Sequence, residues 1–258
     1  MTVSIHSTAV VDPRAELGAD CEIGPYCVIG PEVVLGDGCR LHAHVVLEGP
    51  TVLGRRNEVF PFASIGQKTQ DLKWKGGVTR LRIGDHNTFR EHVTIHRATS
   101  DGDSTVVGSH NHILAYAHIA HDVQLGNHVI MSNVATLAGH VVVEDHAVVG
   151  GLAAVHQFCR IGRLAIIGGC SKVVQDVPPF MLADGNPAVT RTVNKVGMER
   201  AKVSDEAQAA LRQAHKLLFR EALTVTKALE RIEHDLPSLP EIRHLVAFVR
   251  ASQRGLCR

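Results

Sequence analysis

Large aliphatic side chains recur at every sixth residue along most of this chain. From Ile5 the step lands on Val11, Leu17, Ile23, Ile29, Leu35, Leu41, Leu47, Leu53, Val59 and Ile65, and it runs again from Val107 to Val173. In between it resumes at Ile83, Phe89 and Ile95 and fails at Asp71, Gly77 and Asp101. Of 29 positions in this register 26 are large and apolar, about twice what a hydrophobic content of 45% would place there by chance. A second lane, two residues earlier, holds small or β-branched side chains such as Cys21, Cys27, Cys39, Val45, Ala117, Val123, Ala135 and Cys159. Glycine often follows the large residue, as in Ile23-Gly24, Leu53-Gly54 and Ile161-Gly162, where it is expected to permit a turn that a β-carbon would resist.

A helix cannot carry this pattern, because a period of 3.6 sends residues six apart to different faces. Short strands with one corner per repeat can. Three repeats then make an 18-residue coil, and successive coils stack about 4.8 Å apart through parallel backbone hydrogen bonds. The predicted fold class is mainly β: a parallel β-helix of hexapeptide repeats over residues 1–190, followed by a small α-helical C-terminal domain over 191–258. Two stretches abandon the repeat, 67–82 and 98–105, and are expected to project as loops from one corner. In the tail, Ser204-Asp205-Glu206 reads as a helix start, and Ser238-Leu239-Pro240-Glu241 as a capping box before a helix closed by Gly255.

Composition narrows the function classes. Twenty-seven basic against 26 acidic side chains give a net charge of +1, which argues against a nucleic-acid protein and a polybasic membrane anchor. No apolar run approaches the roughly 18 residues of a spanning helix, and no leader-like pattern opens the chain, so stable membrane insertion is not expected and a cytoplasmic location is. Six cysteines without a CxxC pair suggest neither staples nor a metal knuckle, and four of them fall in or beside the repeat as buried fillers.

Seventeen histidines are many for this length. His6, His42, His44 and His146 sit in polar repeat positions and read as surface residues. His118, His121, His140 and His156 form a tighter group. Residues 121, 139 and 157 are one coil apart, so His121, Gly139 and Gln157 should stack at one edge, with His140 and His156 beside them. A base next to a glycine whose N–H can be approached closely suits proton abstraction from a hydroxyl and stabilisation of an oxyanion. Asp122 follows His121 and could orient its ring only if the backbone turns a corner there. No activated serine or cysteine motif is evident, which favours direct transfer over a covalent intermediate. The rival reading is a three-histidine zinc site of the kind found in hexapeptide-repeat carbonic anhydrases; Gln157 in the stack and Asp122 beside His121 count against it, so no metal is expected.

Taken together, Gln70-Asp71-Leu72-Lys73, Thr94-Ile95-His96-Arg97, Ala117-His118-Ile119-Ala120-His121-Asp122, Leu137-Ala138-Gly139-His140, Val155-His156-Gln157-Phe158 and Gly168-Gly169-Cys170-Ser171 make the whole chain resemble the UDP-N-acetylglucosamine O-acyltransferase family, which begins lipid A synthesis. The resemblance implies the left hand of the β-helix, a homotrimer, no cofactor, and transfer of a 3-hydroxyacyl group from acyl carrier protein to the 3-hydroxyl of UDP-N-acetylglucosamine. It implies that His121 is the general base, Asp122 its partner and Gly139 the oxyanion donor. It places Asp71, Lys73, His96, His118, His140, His156, Gln157, Gly169, Asn194 and Arg200 against substrate, with Gly169 leaving room for a longer acyl chain. Pro187, Val196 and Ala201 depart from the family pattern in the tail, where Arg191 is a candidate compensating contact. The related N-acyltransferase of the same pathway typically carries a further N-terminal domain, whereas here the repeats begin at once.

Overall fold

The computed structural model describes residues 2–258. Its core is a left-handed parallel β-helix whose three faces are sheets of 11, 9 and 8 strands. Most strands are two residues long, as in Glu22–Ile23 and Val28–Ile29, because each face of the prism is one repeat wide. Every third strand pairs in parallel with the next coil, Ser4 against Glu22 and Thr136 against Ala154, so the step along one edge is 18 residues.

The two insertions interrupt that step without spoiling it. Buried Asn57, Asn87, Asn111 and Val129 are linked one above another at separations of 30, 24 and 18 residues. The insertions therefore add 12 and then 6 residues, whole numbers of repeats, and the count by sixes survives them. The pairing resumes slightly earlier than expected: Arg80–Ile83 and Ser104–Val107 are both strands of the third face.

The interior is the two lanes read from the repeat. Ile29, Leu41, Leu47, Ile65, Phe89, Ile113 and Ile119 are buried, and so are Cys21, Cys27, Cys39 and Cys159 in the small lane. Burial pushes the Cys39 and Cys159 thiols up to about 11, so they stay protonated fillers. Three positions of the small lane are asparagines. Asn57, Asn87 and Asn111 form a ladder in which each side-chain oxygen accepts a backbone N–H of the next coil and each amide donates to carbonyls of glycine corners.

The glycine expectation needs correction. The left-handed backbone lies at the third residue after the large one, and that residue is seldom glycine: Tyr26, His44, Phe62, His92, Tyr116, Asp122, His140 and Phe158 all have φ between 57 and 65°. Among the glycines that follow a large residue Gly66 does turn, at φ 83°; the others serve close approach between coils, since a Cβ on Gly36 would sit 2.6 Å from the Gly54 carbonyl carbon. Bulky residues in the left-handed region cost roughly 1–2 kcal/mol each. Here their rings stack from coil to coil, Tyr26 on His44 on Phe62 on His92 on Tyr116, with centroids 4.5 to 5.0 Å apart.

The last strand, Ala188–Val193, turns back antiparallel on Met181–Gly185. The expected join at 190/191 falls inside it, and four helices follow: α1 (Lys195–Arg200), α2 (Asp205–Phe219), α3 (Val225–Asp235) and α4 (Pro240–Arg250). Leu164, Phe180 and Met181 of the solenoid share one core with Leu211, Leu217, Leu218, Ile232 and Leu245, so the helices close its C-terminal end. Ser204 caps α2 by accepting from the Ala207 N–H. The capping box expected at Ser238 is absent: Leu239 occupies the cap with no side-chain bond, and Pro240 opens the helix, where its missing N–H leaves nothing to satisfy. Gly255 does not close α4, which ends at Arg250 with Ala251 as its cap; it turns the tail so that its carbonyl accepts from the Asp176 N–H.

Candidate functional site

His121 and Asp122 occupy the corner that follows the strand His118–Ile119. Asp122 has φ 61°, and this turn brings its carboxylate to the same side as the preceding imidazole. His121 Nδ1 donates to Asp122 Oδ2 at 2.8 Å, with side-chain exposures of 12% and 9%. With Nδ1 carrying the proton, Nε2 of the neutral ring is left as an acceptor. The second carboxylate oxygen accepts from the Thr99 N–H at 3.3 Å, and the Asp122 N–H donates to Thr105 Oγ1 at 2.8 Å.

Gly139 lies on the next coil, against the face of His121. A Cβ there would stand 2.6 Å from His121 Nε2, so only glycine lets the ring occupy this place. Among the described residues no acceptor takes the Gly139 N–H, while its neighbours are used: the Ala138 N–H donates to Val155 and the His140 N–H to His121. His140 turns its ring 88° to that of His121, with Nε2 3.6 Å from Asp122 Oδ2, and stacks on Phe158 of the coil beyond at 4.7 Å. Gln157 completes the expected three-storey stack and is exposed, as is His156, whose Nδ1 donates to the Gln157 carbonyl.

His118 and His96 stand edge to face on the neighbouring strands, centroids 5.0 Å apart. His118 Nδ1 and Thr94 Oγ1 are 2.7 Å apart. His96 is 6% exposed and its Nδ1 has no partner. Burial, reinforced by His118 and His121, pulls its pKa down to about 4, and burial followed by His121 lowers His118 as well. Both rings are therefore held neutral, which suits polar recognition of an uncharged ligand group.

Asp71 and Lys73, from the first insertion, line a cavity of about 630 Å³ with Thr99, His140, Gln157 and Phe158. A larger hollow of about 860 Å³ lies at the N-terminal coils around His6, Glu22 and Arg40 and shares no lining residue with the His121 corner. Gly169 is exposed, and a Cβ there would approach the Gly151 carbonyl to 3.3 Å, a contact that slight movement relieves. Asn194 and Arg200 belong to the start and end of α1. The Asn194 side chain caps that helix and donates to the Leu164 carbonyl, while Arg200 is exposed.

Thr99 and Thr105, which hold Asp122, and Phe158, which backs His140, escaped the sequence reading. The second insertion breaks the 18-residue step between Asp122 and the coil before it, so no spacing pointed to the threonines. The ligand atoms of His121, Asp122 and His140 lie within 4.8 Å of one another, the only such group among the described residues. It holds two imidazoles, not three, and the shared carboxylate oxygen already accepts from His121 Nδ1. That donor set suits proton transfer better than a zinc centre.

Known proteins resemble the chain over its whole length. A family described as "Udp N-acetylglucosamine O-acyltransferase; Domain 2" matches residues 176–257, and the bacterial transferase hexapeptide family matches 2–36 and 14–49. The acyl-[acyl-carrier-protein]--UDP-N-acetylglucosamine O-acyltransferase of Thermodesulfovibrio yellowstonii is 52% identical over 255 residues, 98% of this chain and 99% of that one. The solved structure of LpxA from Acinetobacter baumannii is 45% identical with a TM-score of 0.95, covering 98% of this chain and 99% of the other. The UDP-N-acetylglucosamine acyltransferase of Bacteroides fragilis is 36% identical with a TM-score of 0.96, covering 98% and 100%. The chain belongs to the UDP-N-acetylglucosamine O-acyltransferase family.

Proposed function

We propose that this protein transfers a 3-hydroxyacyl group from acyl carrier protein to the 3-hydroxyl of UDP-N-acetylglucosamine, the first step of lipid A biosynthesis, by direct attack with His121 as general base. The observation that carries the reading is the His121 ring, held by Asp122 and seated against a glycine whose N–H is free. Neutral His121 takes the hydroxyl proton on Nε2 as the oxygen attacks the thioester carbonyl. The Gly139 N–H stabilises the oxyanion that forms, and Asp122 stabilises the imidazolium. Collapse breaks the carbon–sulfur bond, and His121 returns the proton to the departing thiolate, leaving the ester and free carrier thiol.

Asp71, Lys73, His96, His118, His140, His156 and Gln157 surround the acceptor and the thioester, with Asp71 and Lys73 reaching in from the insertion. Gly169 leaves the acyl channel open, and Gly169→Met should shift the preferred donor to shorter chains. Asn194 and Arg200 serve the nucleotide and the carrier arm from a neighbouring subunit. The enzyme works as a cytoplasmic homotrimer. Support comes from Tyr26, Phe62, Tyr116, Val134 and Leu152, all exposed along one edge of the isolated chain, where a neighbouring solenoid would cover them. No helix is long and apolar enough to cross a membrane.

Purified protein incubated with UDP-N-acetylglucosamine and acyl carrier proteins of several hydroxyacyl lengths should yield the 3-O-acyl nucleotide sugar by mass spectrometry. No product with any donor would refute the function. Light scattering at a mass other than three chains would refute the trimer.

A further inference from the structure

The two insertions that interrupt the solenoid are fastened together by a buried pair of hydroxyls. Thr69 Oγ1 and Thr99 Oγ1 are 2.8 Å apart, and the residues are 5% and 8% exposed. Thr69 lies in the first insertion and accepts from the Asp71 N–H at 3.0 Å. Asp71 Oδ1 in turn accepts from the Lys73 N–H at 2.9 Å. Thr99 lies near the start of the second insertion, and its own N–H donates to the Asp122 oxygen that His121 does not use. One continuous chain of hydrogen bonds thus runs from the loop that lines the cavity, through the two hydroxyls, to the carboxylate that holds the base.

The fold does not require this connection. Both insertions leave the coils in register, because their lengths are whole numbers of repeats. The prism would stack without them. Buried hydroxyls are costly unless paired, and here the two partner each other while Thr69 Oγ1 also accepts from the Asp71 N–H. The pair fixes how far the first insertion stands from the corner carrying His121.

We infer that Thr69 and Thr99 are positioning residues: they set the Asp71–Lys73 segment in register with the His121–Asp122 pair, so that a substrate seated on the loop presents its hydroxyl to the base. The inference rests on the proposed role of His121 and Asp122. It predicts a defect in turnover, since a misplacement of about 1 Å at the reacting atoms costs on the order of a hundredfold in rate.

The test is a set of variants assayed with acyl carrier protein donor and UDP-N-acetylglucosamine. Thr69→Val and Thr99→Val keep the shape and remove the hydroxyl; each should lower kcat about ten- to a hundredfold, with KM for the nucleotide sugar within about twofold. Thr69→Ser and Thr99→Ser should restore most of the rate. The double valine variant removes both hydroxyls, so its melting temperature should return towards wild type while kcat stays low. In an Asp122→Ala background Thr99→Val should have little further effect, because its influence passes through that carboxylate.

Single valine variants within twofold of wild-type kcat would overturn the inference. So would a double variant that recovers kcat together with melting temperature, which would make the pair a packing feature only. If Asp122→Ala and His121→Ala themselves keep full activity, the underlying assignment of the base has failed instead, an outcome separable from the first two.

Discussion

Two edges of this prism are rich in histidine, and they are built differently. Along one, His86, His110, His128 and His146 stack face to face at 4.7 to 4.9 Å with interplanar angles of 1 to 5°. Each ring sits at the left-handed corner position of its coil and repeats its neighbour. Along the other, the corner position passes from Asp122 to His140 to Phe158, and the histidine that matters, His121, stands one residue before the corner at right angles to the ring above. The first column is a scaffold. The second is a place where the repeat is broken to put a carboxylate beside a ring and a glycine against its face. Histidine count did not separate them; the break in the stack does.

That contrast can be broken by substitution. Among substitutions around the base itself, the largest effect should come from Gly139→Ala, because the methyl would stand 2.6 Å from His121 Nε2 and must displace the base. We expect kcat to fall about 10²- to 10³-fold with little change in melting temperature; near-normal turnover would show that the ring is not used where it lies. Next, Asp122→Asn should lower kcat about 10- to 100-fold, since an amide holds the ring without stabilising its charged form. Steady-state kinetics at saturating nucleotide sugar check this, and wild-type turnover would show that the carboxylate does not act through the ring.

A smaller effect is expected on stability against pH. His96 is held near 4, below the ordinary histidine value of 6.5, so the unfolded chain takes up this proton first as pH falls. The stability tied to its neutral, buried ring is complete above pH 6.5 and is lost progressively down to about 4, by at most about 3 kcal/mol. His118 shifts in the same direction. Urea midpoints at pH 7 and pH 5 should therefore differ more for the wild type than for His96→Asn, and equal differences would contradict the assignment.

Much of this was readable in the sequence, for a physical reason. A repeat imposes the same two inward positions on every rung, so Ile23, Leu47, Ile119 and Leu137 each reported the fold independently. The edge holding His121, Gly139 and Gln157 followed from the coil length alone, because all three lie above the insertions. What escaped depends on which side chains bond to one another across coils, and a period of apolar positions does not state that. Thr99 and Thr105 reach Asp122 across an insertion. Asn57, Asn87 and Asn111 replace small apolar residues in the inner lane because they bond to one another, a compensation visible only when they are stacked. The role of the corner glycines was misassigned, since the sequence could mark a tight place without saying whether torsion or approach made it tight. In the tail, Ser238 looked like a cap, but Pro240 sets the start of α4 without one.

The central claim is that the broken edge performs the chemistry and the regular edge only supports it. The most direct measurement applies one substitution to both, His121→Ala and His128→Ala, with acyl transfer and thermal unfolding followed on each. The account predicts that His121→Ala lowers kcat about 10³-fold at a nearly unchanged melting temperature, while His128→Ala keeps the rate within twofold and melts a few degrees lower. Comparable rates for the two variants would contradict it.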